Sequence, residues 1–238
     1  MELSIVIPVL NEAASITGLL EEIAQQLDGQ LDYEIVVVDD GSTDSTPAVL
    51  QDARGRLARV RVLRHRERCG QSAALASGVA AARSEWVATL DGDGQNDPAD
   101  IMKLYRTMQQ SGNQVKLIAG YRRQRRDSTL KRISSRVANA VRSAMLDDDS
   151  PDTGCGLKLF PRSLFLSLPL FRNMHRFLPA LVKRAGGAMV IVEVNHRPRR
   201  QGQSKYGVMN RLWVGIVDLC GVWWLRRRAL HPVVSEIE

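Results

Sequence analysis

The sequence predicts an α/β protein with an open, mostly parallel sheet and helices on both faces. Short apolar, β-branched segments alternate with segments of helical periodicity over residues 1–120, which is typical of repeated strand–helix units. Segment 34–38 is apolar almost throughout, as expected for a parallel strand covered on both faces. Three predicted strands end in carboxylate or amide side chains, and the carboxyl ends of parallel strands form the edge where ligands bind.

The predicted elements alternate regularly up to Gly120 and less regularly beyond it. The apolar, β-branched segments predict strands at 3–9, 34–38, 60–63, 86–90 and 115–119. Helical spacing and turn residues predict helices at 16–27, 45–58, 70–82 and 98–110. The later pattern predicts a short strand within 156–160, helical pieces in 164–184 broken at Pro169 and Pro179, a strand at 188–194 and a last helix at 208–228.

The composition of the sequence limits the class of protein and the kinds of partner that are expected. The 238 residues are 44% hydrophobic and 25% charged, an ordinary globular composition. A net charge of +7 favours an anionic partner such as nucleic acid, phosphate groups or an anionic membrane surface. Aromatic residues make up only 5% of the chain, which disfavours nucleic acid. Three scattered cysteines and the lack of a secretory signal predict a cytoplasmic location.

The stretch Trp86–Pro98 is the centre of the predicted site. Asp91 and Asp93 end a buried strand, each is followed by a glycine that allows a tight turn, and Gln95 adds a neutral oxygen. Hard divalent cations bind carboxylate, carbonyl and phosphate oxygens together, so this turn can hold a metal that binds a diphosphate. The alternative is an acidic turn that caps a helix, with Asp97-Pro98 as N-cap and first helical residue.

Two common nucleotide-binding motifs are absent from the sequence. No Gly-x-Gly-x-x-Gly follows the first strand, and no Gly-x-x-x-x-Gly-Lys-Ser/Thr occurs, which disfavours a dinucleotide oxidoreductase and a P-loop nucleotidase. Asn11-Glu12 and Asp39-Asp40 end the first two strands, and carboxylates there can bind ribose hydroxyls and base N–H groups. We therefore expect a nucleotide held by carboxylates and a metal.

Four motifs carry a resemblance to a known family. They are Ser4-Ile-Val-Ile-Pro-x-x-Asn-Glu12, Val37-Val-Asp-Asp-Gly-Ser-x-Asp44, Asp91-Gly-Asp-Gly-Gln-x-Asp-Pro98 and Arg199-x-x-Gly-x-Ser-Lys-Tyr206. The chain resembles family 2 glycosyltransferases of the GT-A (Rossmann-like) fold. Within that family it most resembles the dolichol-phosphate mannose synthase branch, which transfers sugars to polyprenyl phosphates. The motifs extend the resemblance over residues 1–207.

The resemblance implies a role for each matching residue. The nucleotide sugar would be bound by Pro8, Glu12, Asp39, Asp40 and Asp91. The metal, Mg²⁺ or Mn²⁺, would be bound by Asp91, Asp93 and Gln95. The catalytic residues would be Asp91, Asp93 and Arg199. The acceptor phosphate would be bound by Arg122, Arg132, Ser135, Arg199, Ser204 and Lys205.

Several of these residues have a structural alternative. Asp39 can cap the turn at Gly41-Ser42 instead of contacting the nucleotide. The arginines and lysine that follow Gly120 can form a solvated helix face, which is the usual fate of a charge run. The segment Arg199–Lys205 can be a basic surface loop.

A phosphate acceptor changes the chemistry that the protein must supply. A sugar hydroxyl needs a general base, whereas a phosphate monoester, with a second pKa of about 6, is already an anion at neutral pH. Attack on the face opposite the leaving group would invert the anomeric centre. Asp152 is a secondary candidate for a base. His65, His175, His196 and His231 show no ligand spacing and are expected to be structural or exposed.

Three hypotheses about function remain, from different classes. The leading hypothesis is a metal-dependent, inverting glycosyltransferase that moves a sugar from a GDP- or UDP-linked donor to dolichyl or undecaprenyl phosphate. The second keeps the donor and replaces the lipid with a saccharide hydroxyl in cell-envelope glycan synthesis. The third is a catalytically silent, membrane-associated scaffold that retains the fold.

The chain is expected to divide into a catalytic domain and a tail. The domain spans 1–207, with a nucleotide-sugar half at 1–120 and an acceptor half at 121–207, and the tail spans 208–238. The fourteen residues Leu212–Leu225 of the tail, apolar apart from the interruption at Asp218, would as a helix reach only about 21 Å, short of the roughly 30 Å hydrocarbon core. We therefore expect an amphipathic helix on the cytoplasmic face of the membrane. The alternatives are packing on the protein's own core, on a second copy of the chain or on a membrane protein.

Overall fold

The structure is a computed structural model that describes residues 1–122, 141–198 and 208–230, with side chains in the last segment described from residue 215. Within these residues seven strands form one sheet in the order β3–β2–β1–β4–β6–β5–β7. Their bounds are β1 Leu3–Val9, β2 Tyr33–Asp39, β3 Val60–Arg64, β4 Trp86–Thr89, β5 Val115–Tyr121, β6 Lys158–Pro161 and β7 Ala188–Glu193. The pairs that involve β6 are antiparallel and the others are parallel, so the predicted α/β sheet is confirmed.

Helices cover both faces of this sheet. The four that separate the first five strands are α1 Ile16–Leu27, α2 Thr46–Arg56, α3 Gln71–Ala81 and α4 Ala99–Gln110. The later ones are α5 Arg162–Ser167, α6 Leu178–Arg184 and α7 Val208–Arg227, with a 3₁₀ turn at Met174–Arg176 and a helical segment at 141–146. One face of the sheet packs on α1, α2 and α4, and the other packs on α3, α5 and α6.

Alternation along β1 shows how the sequence builds these two layers. Leu3, Ile5 and Ile7 are fully buried in the layer that contains α1, and Val6 is fully buried in the opposite layer with α3. Burying each such side chain stabilises the fold by roughly 1.5–3 kcal/mol. The same close packing requires Gly78 on α3, because a Cβ there would lie 2.3 Å from a methyl group of Val6.

Of three local predictions, the first is confirmed and the other two differ from the structure. The short strand predicted within 156–160 is β6, and it runs antiparallel between β4 and β5. Pro179 does not break a helix, since it lies in the first turn of α6, where the missing N–H has no helical partner to lose. The helix α4 begins at Ala99, and the carboxylate of Asp97 accepts a hydrogen bond from the Ala99 amide at 3.1 Å.

The predicted C-terminal helix is present as α7, and one of its faces packs on the protein. Val222 is buried in the same apolar layer as α6, and the Asp218 carboxylate accepts a 2.9 Å hydrogen bond from Asn173. The opposite face leaves Val217 56% and Trp224 55% exposed. No helix among the described residues is long and apolar enough to cross a bilayer.

Candidate active site

The predicted site residues meet at the edge formed by the carboxyl ends of the parallel strands. Glu12 follows β1, Asp40 follows β2, the turn at 91–95 follows β4, and Arg122 follows β5. In doubly wound sheets this edge is where ligands bind. The order of the strands therefore brings together side chains that lie far apart in the sequence.

Asp91 is the most strongly perturbed carboxylate of the site. Loss of hydration and the neighbouring charge of Asp93 raise the pKa of Asp91 to about 6, against the lowering effect of Lys158 and Arg122. Its Oδ1 accepts a 2.9 Å hydrogen bond from Gln71, the first residue of α3. A carboxylate that is hard to ionise beside a second carboxylate is stabilised by a bound cation.

The loop before β6 is shaped to admit the Asp91 side chain. A Cβ at Gly156 would lie 2.3 Å from Asp91 Oδ2, so any other residue there would displace the carboxylate. The Gly156 carbonyl is held by a 2.7 Å hydrogen bond from the hydroxyl of Thr89 at the end of β4.

The turn that carries Asp93 and Gln95 is folded tightly against β1. The Gln95 amide donates a 3.1 Å hydrogen bond to Asp93 Oδ1. A Cβ at Gly92 would lie 2.6 Å from a methyl group of Val9, which explains why a glycine is needed at this close approach. The hydroxyl of Ser15 donates toward the Gly92 carbonyl at 3.0 Å and toward Glu12 at 3.1 Å. Glu12 is thereby tied to the same turn.

This turn fits a hard divalent cation. Asp91, Asp93 and Gln95 supply carboxylate and amide oxygens, which are the ligand types that Mg²⁺ and Mn²⁺ take. The three residues lie on one short turn, and the repulsion between the two carboxylates already shows in the pKa of Asp91. Such a site leaves further ligand positions for the oxygens of a diphosphate.

The end of β2 has a different character, because its carboxylates are bound by the protein itself. Asp39 is fully buried, accepts a 2.9 Å hydrogen bond from the Ser42 amide and lies 3.2 Å from Arg64. These contacts match the predicted alternative of a turn cap. Asp40 is 3% exposed and accepts 2.8 Å hydrogen bonds from the amides of Cys69 and Gly70.

Asp40 also pairs with a histidine for which the sequence predicted no specific contact. Its Oδ1 lies 2.8 Å from His65 Nδ1, and His65 Nε2 lies 2.9 Å from the hydroxyl of Ser77. The ligand atoms of Asp40, His65 and Cys69 all lie within 4.8 Å of one another. Within the described part of the chain, this is the sole cluster of three acidic, histidine or cysteine ligands with such spacing.

Asn11 and Pro8 position the chain around this edge. Asn11 adopts a positive φ of 54°, and its side-chain oxygen accepts a 2.8 Å hydrogen bond from the Thr43 amide. The amide of Glu12 donates to the hydroxyl of Thr46 at 2.9 Å. The turns after β1 and β2 are therefore joined. Pro8 is partly exposed and lies near the end of β1, opposite Val38 of β2.

Arg122 and Asp152 form a buried, bidentate ion pair. Arg122 Nε donates to Asp152 Oδ2 at 2.7 Å, and Nη2 donates to Oδ1 at 2.9 Å. Burial by itself would lower the pKa of Arg122, but the pair with Asp152 outweighs that effect and raises it. Arg122, which the resemblance assigns to the acceptor phosphate, thus shares the site with the secondary candidate base.

Lys158 is a site residue that the sequence reasoning missed. It lies on β6, is 4% exposed, and its Nζ donates to the carbonyls of Thr153 and Cys155. Burial lowers its pKa, against the raising effects of Cys155, Asp91 and Asp152. A lone lysine inside an otherwise apolar strand was the available signal, because a buried cation requires polar partners.

His175 and Gln71 are two further neighbours that the sequence did not identify. His175 Nδ1 lies 2.8 Å from the hydroxyl of Ser72 in the first turn of α3. Burial, together with the charges of Lys158 and Arg176, lowers the pKa of His175 to about 3. The imidazole is therefore neutral, which agrees with the structural role that was expected.

Five predicted residues of the acceptor side lie outside the described residues. They are Arg132, Ser135, Arg199, Ser204 and Lys205. His231 lies outside them as well.

Comparison with known sequences identifies a family model and curated relatives. The model of glycosyl transferase family 2 matches residues 4–168. The chain is 35% identical over 240 residues to dodecaprenyl-phosphate galacturonate synthase of Rhizobium johnstonii, covering 98% of this chain and 69% of that protein. It is 33% identical over 211 residues to undecaprenyl-phosphate 4-deoxy-4-formamido-L-arabinose transferase of Aeromonas hydrophila, covering 87% and 63% respectively. The chain thus spans about two thirds of the length of these relatives.

The fold also matches solved structures. Glucosyl-3-phosphoglycerate synthase from Mycobacterium tuberculosis, crystallised with Mg²⁺ and uridine diphosphate, aligns with a TM-score of 0.70 at 21% identity. The alignment covers 94% of this chain and 79% of that one. At this level of identity the likeness concerns the fold.

Proposed function

Because the chain belongs to glycosyl transferase family 2, we propose that it transfers a sugar from a nucleotide sugar to a polyprenyl phosphate. Two relatives are named for dodecaprenyl and undecaprenyl phosphate, which supports a dolichyl- or undecaprenyl-type acceptor. The observation that carries the proposal is the engagement of Asp152. Both of its oxygens accept hydrogen bonds from Arg122, so the secondary candidate for a base is already paired.

An acceptor that is itself an anion removes the need for that base. The second pKa of a phosphate monoester is about 6, so it reaches neutral pH with a nucleophilic oxygen already deprotonated. The protein then has to hold two anionic substrates close together, with the attacking oxygen in line with the leaving group. Cations and positioned hydrogen-bond donors can do this, because they offset the repulsion between the two anions. Attack opposite the departing diphosphate inverts the configuration at the anomeric carbon.

The donor side of the proposed site is built on β1, β2 and β4. Pro8, Glu12, Asp39 and Asp40 contribute to the nucleotide pocket, and Asp40 is oriented by its contact with His65. Asp39 contributes indirectly, because its carboxylate accepts the hydrogen bond from the Ser42 amide that holds the turn after β2. Asp40 would contact the base, with its carboxylate oriented by the amides of Cys69 and Gly70.

The turn after β4 binds the donor's diphosphate end. Asp91, Asp93 and Gln95 would hold Mg²⁺ or Mn²⁺, and a bound ion would supply positive charge next to the departing nucleoside diphosphate. Asp91 is held for this role by the hydrogen bond from Gln71 and by the space left at Gly156. Asp91, Asp93 and Arg199 are accordingly the proposed catalytic residues.

The acceptor side is the part of the site between β5 and the segment after β7. Arg122 lies at the end of β5, and its pairing with Asp152 leaves Nη1 without a hydrogen bond among the described residues. That nitrogen is available to the acceptor phosphate. The remaining proposed ligands are Arg132, Ser135, Arg199, Ser204 and Lys205, since arginine binds phosphate through two donors and lysine adds a point charge.

The helix α7 supports a location at the cytoplasmic face of the membrane. Its outward face exposes Ile216, Val217 and Trp224, and Arg228 lies over the Trp224 ring at 5.7 Å. Apolar and tryptophan side chains next to arginines favour an anionic lipid surface. In this arrangement residues 1–120 form the nucleotide-sugar half, 121–207 form the acceptor half, and 208–238 form the membrane or oligomer segment.

The test is a screen of UDP- and GDP-sugars for release of nucleoside diphosphate, with and without undecaprenyl phosphate. We expect release that depends on the lipid phosphate and on Mg²⁺ or Mn²⁺, and we expect Asp93→Asn to lose most of it. Release that depends on a soluble saccharide instead would support transfer to a hydroxyl. The absence of release with every donor would support a silent scaffold and overturn the proposal.

A further inference from the structure

The chain that leaves β7 is attached directly to the turn proposed to bind the metal. Residues His196 and Asn96 form an antiparallel bridge. The amide of Arg197 donates a 2.9 Å hydrogen bond to the carbonyl of Gln95. The backbone of 196–197 therefore lies against the end of the segment Asp91–Gln95.

The side chain of Arg197 fixes this attachment with a two-pronged ion pair. Nη1 donates to one oxygen of Glu22 at 2.9 Å, and Nη2 lies 2.7 Å from the other. Nη2 also lies 2.8 Å from Asp97 Oδ1. Glu22 belongs to α1 and Asp97 precedes α4, so one guanidinium joins two helices to the segment after β7. Because two guanidinium nitrogens contact the two oxygens of one carboxylate, the pair fixes the orientation of the Arg197 side chain as well as its distance from Glu22.

Asn195 makes a second attachment next to the first. Its amide donates to the carboxylate of Asp100 at 2.6 Å, and its side-chain nitrogen donates to Asp97 Oδ2 at 3.2 Å. Asp100 is only 6% exposed, so this contact is shielded from water. Asp97 therefore contacts both Asn195 and Arg197.

These contacts lie immediately before a proposed ligand of the acceptor phosphate. Arg199 is two residues beyond Arg197, and two residues of chain span at most about 7 Å. Pro198 lies between them, and its ring fixes one backbone angle and restricts the residue before it. In the sequence, the proposed acceptor ligand Arg199 is thus joined through Pro198 to a residue that is fixed beside the metal-binding turn.

We propose that Arg197 is a positioning residue, which through Glu22 and Asp97 fixes residues 195–197, directly before the proposed acceptor ligands in the sequence, against the turn Asp91–Gln95. The inference rests on the proposed function, because it assigns the arrangement to use of the acceptor phosphate. Arg197 itself touches neither substrate. Its effect is to set where the acceptor's phosphate meets the donor's diphosphate.

The test compares Arg197→Ala and Arg197→Lys with the native protein. Misplacing a binding group by about 1 Å can cost on the order of 100-fold in rate. We expect Arg197→Ala to raise the KM for undecaprenyl phosphate at least tenfold and to lower kcat, while the dissociation constant for the nucleoside diphosphate changes by less than about twofold. Arg197→Lys retains one charge contact and is expected to recover part of the loss.

A matched control separates this effect from the loss of any surface ion pair. Arg56 also bridges two carboxylates, Glu21 at 2.8 Å and Asp52 at 3.1 Å, but it lies on α2. We expect Arg56→Ala to leave both substrate constants at native values. Equal loss of donor and acceptor binding in Arg197→Ala, or native values for both, would overturn the proposal.

Hydrogen exchange gives a readout that does not depend on the acceptor. The amides of Asn195 and Arg197 are both hydrogen-bonded, and we expect them to exchange at least tenfold faster in Arg197→Ala while the strands stay protected. If these amides exchange at the native rate in Arg197→Ala, the claim that Arg197 fixes residues 195–197 is overturned. If the native protein releases no nucleoside diphosphate in response to lipid phosphate, the proposed function and the acceptor role of Arg197 are both overturned. Hydrogen exchange would still decide whether Arg197 fixes residues 195–197.

Discussion

Asp152→Asn removes one charge from the buried ion pair beside the site and is expected to destabilise the protein. The Asp152 side chain is 5% exposed and that of Arg122 is 12% exposed. Asparagine keeps the volume and one acceptor oxygen, but it turns an NH₂ group toward one of the two guanidinium donors. Two hydrogen bonds between oppositely charged groups thereby become one hydrogen bond from the charged guanidinium to a neutral oxygen and one contact between donors.

The magnitude depends on the interactions that Arg122 retains. Removing one partner of a buried pair costs roughly 3–5 kcal/mol, because the remaining charge stays buried without compensation. Arg122 also interacts with the charge of Asp91, and asparagine keeps one hydrogen bond. Both features favour the lower end of the range, so we expect the free energy of unfolding to fall by about 3 kcal/mol.

Urea unfolding followed by tryptophan fluorescence measures this change. The matched control is Asp147→Asn, because Asp147 lies in the same loop region and pairs with Lys183 at 2.9 Å, but its side chain is 67% exposed. An exposed pair contributes about 0–1 kcal/mol, so the control is expected to unfold near the native midpoint. An Asp152→Asn protein with the native midpoint and slope would refute the reasoning from burial.

The same variant distinguishes a structural carboxylate from a general base. Loss of a general base lowers turnover by roughly 10²–10⁴-fold. If the acceptor is a phosphate, folded Asp152→Asn is expected to keep turnover within about tenfold of the native value. A loss of 10³-fold or more in protein that is still folded would indicate that Asp152 takes a proton from the acceptor.

Three further predictions concern the metal turn, a buried histidine and α7. Asp93→Asn is expected to keep the native unfolding midpoint, since asparagine can still accept from Gln95, but to lose most turnover even at saturating Mg²⁺. His175 has a pKa of about 3 in the folded protein and 6.5 in the unfolded chain, so the unfolded chain takes up the proton first as the pH falls. The free energy of unfolding is therefore expected to decrease from pH 6.5 to pH 3 by up to about 1.4 kcal/mol per pH unit. In His175→Gln the urea midpoint should decrease less over the same pH range. Val217→Ser with Trp224→Ser is expected to weaken sedimentation with anionic vesicles at least tenfold without loss of folding, and unchanged binding would contradict a lipid-facing α7.

The sequence predicts α1 and α4 because each has one clear apolar face. It predicts β2 because that segment is apolar almost throughout and buried on both faces. The acidic turn is predictable for a related reason, since Asp91 and Asp93 follow an apolar strand directly and lie at its carboxyl end. The resemblance to a family adds roles to these residues, and the family assignment itself is confirmed.

The contacts that hold the site together are not predictable in the same way. The partners of Asp40 are His65, Cys69 and Gly70, which follow a different strand. Arg122 and Lys158 interact with groups from the loop before β6. A pattern of hydrophobic residues shows which face of a strand is buried, but it does not show which distant strand lies beside it.

The position of β6 has a consequence for folding during synthesis and for the reassembly of fragments. Trp86 of β4 pairs with Pro161, and Ile118 of β5 pairs with Leu159, so the middle of the sheet closes only when a late segment inserts. Until then the edges of β4 and β5 that face β6 stay unpaired, and such edges are prone to pair with other chains. Closure through such long-range contacts is also expected to be slow. Two fragments divided after Tyr121 would therefore regain a complete sheet only when the second one donates β6 to the first.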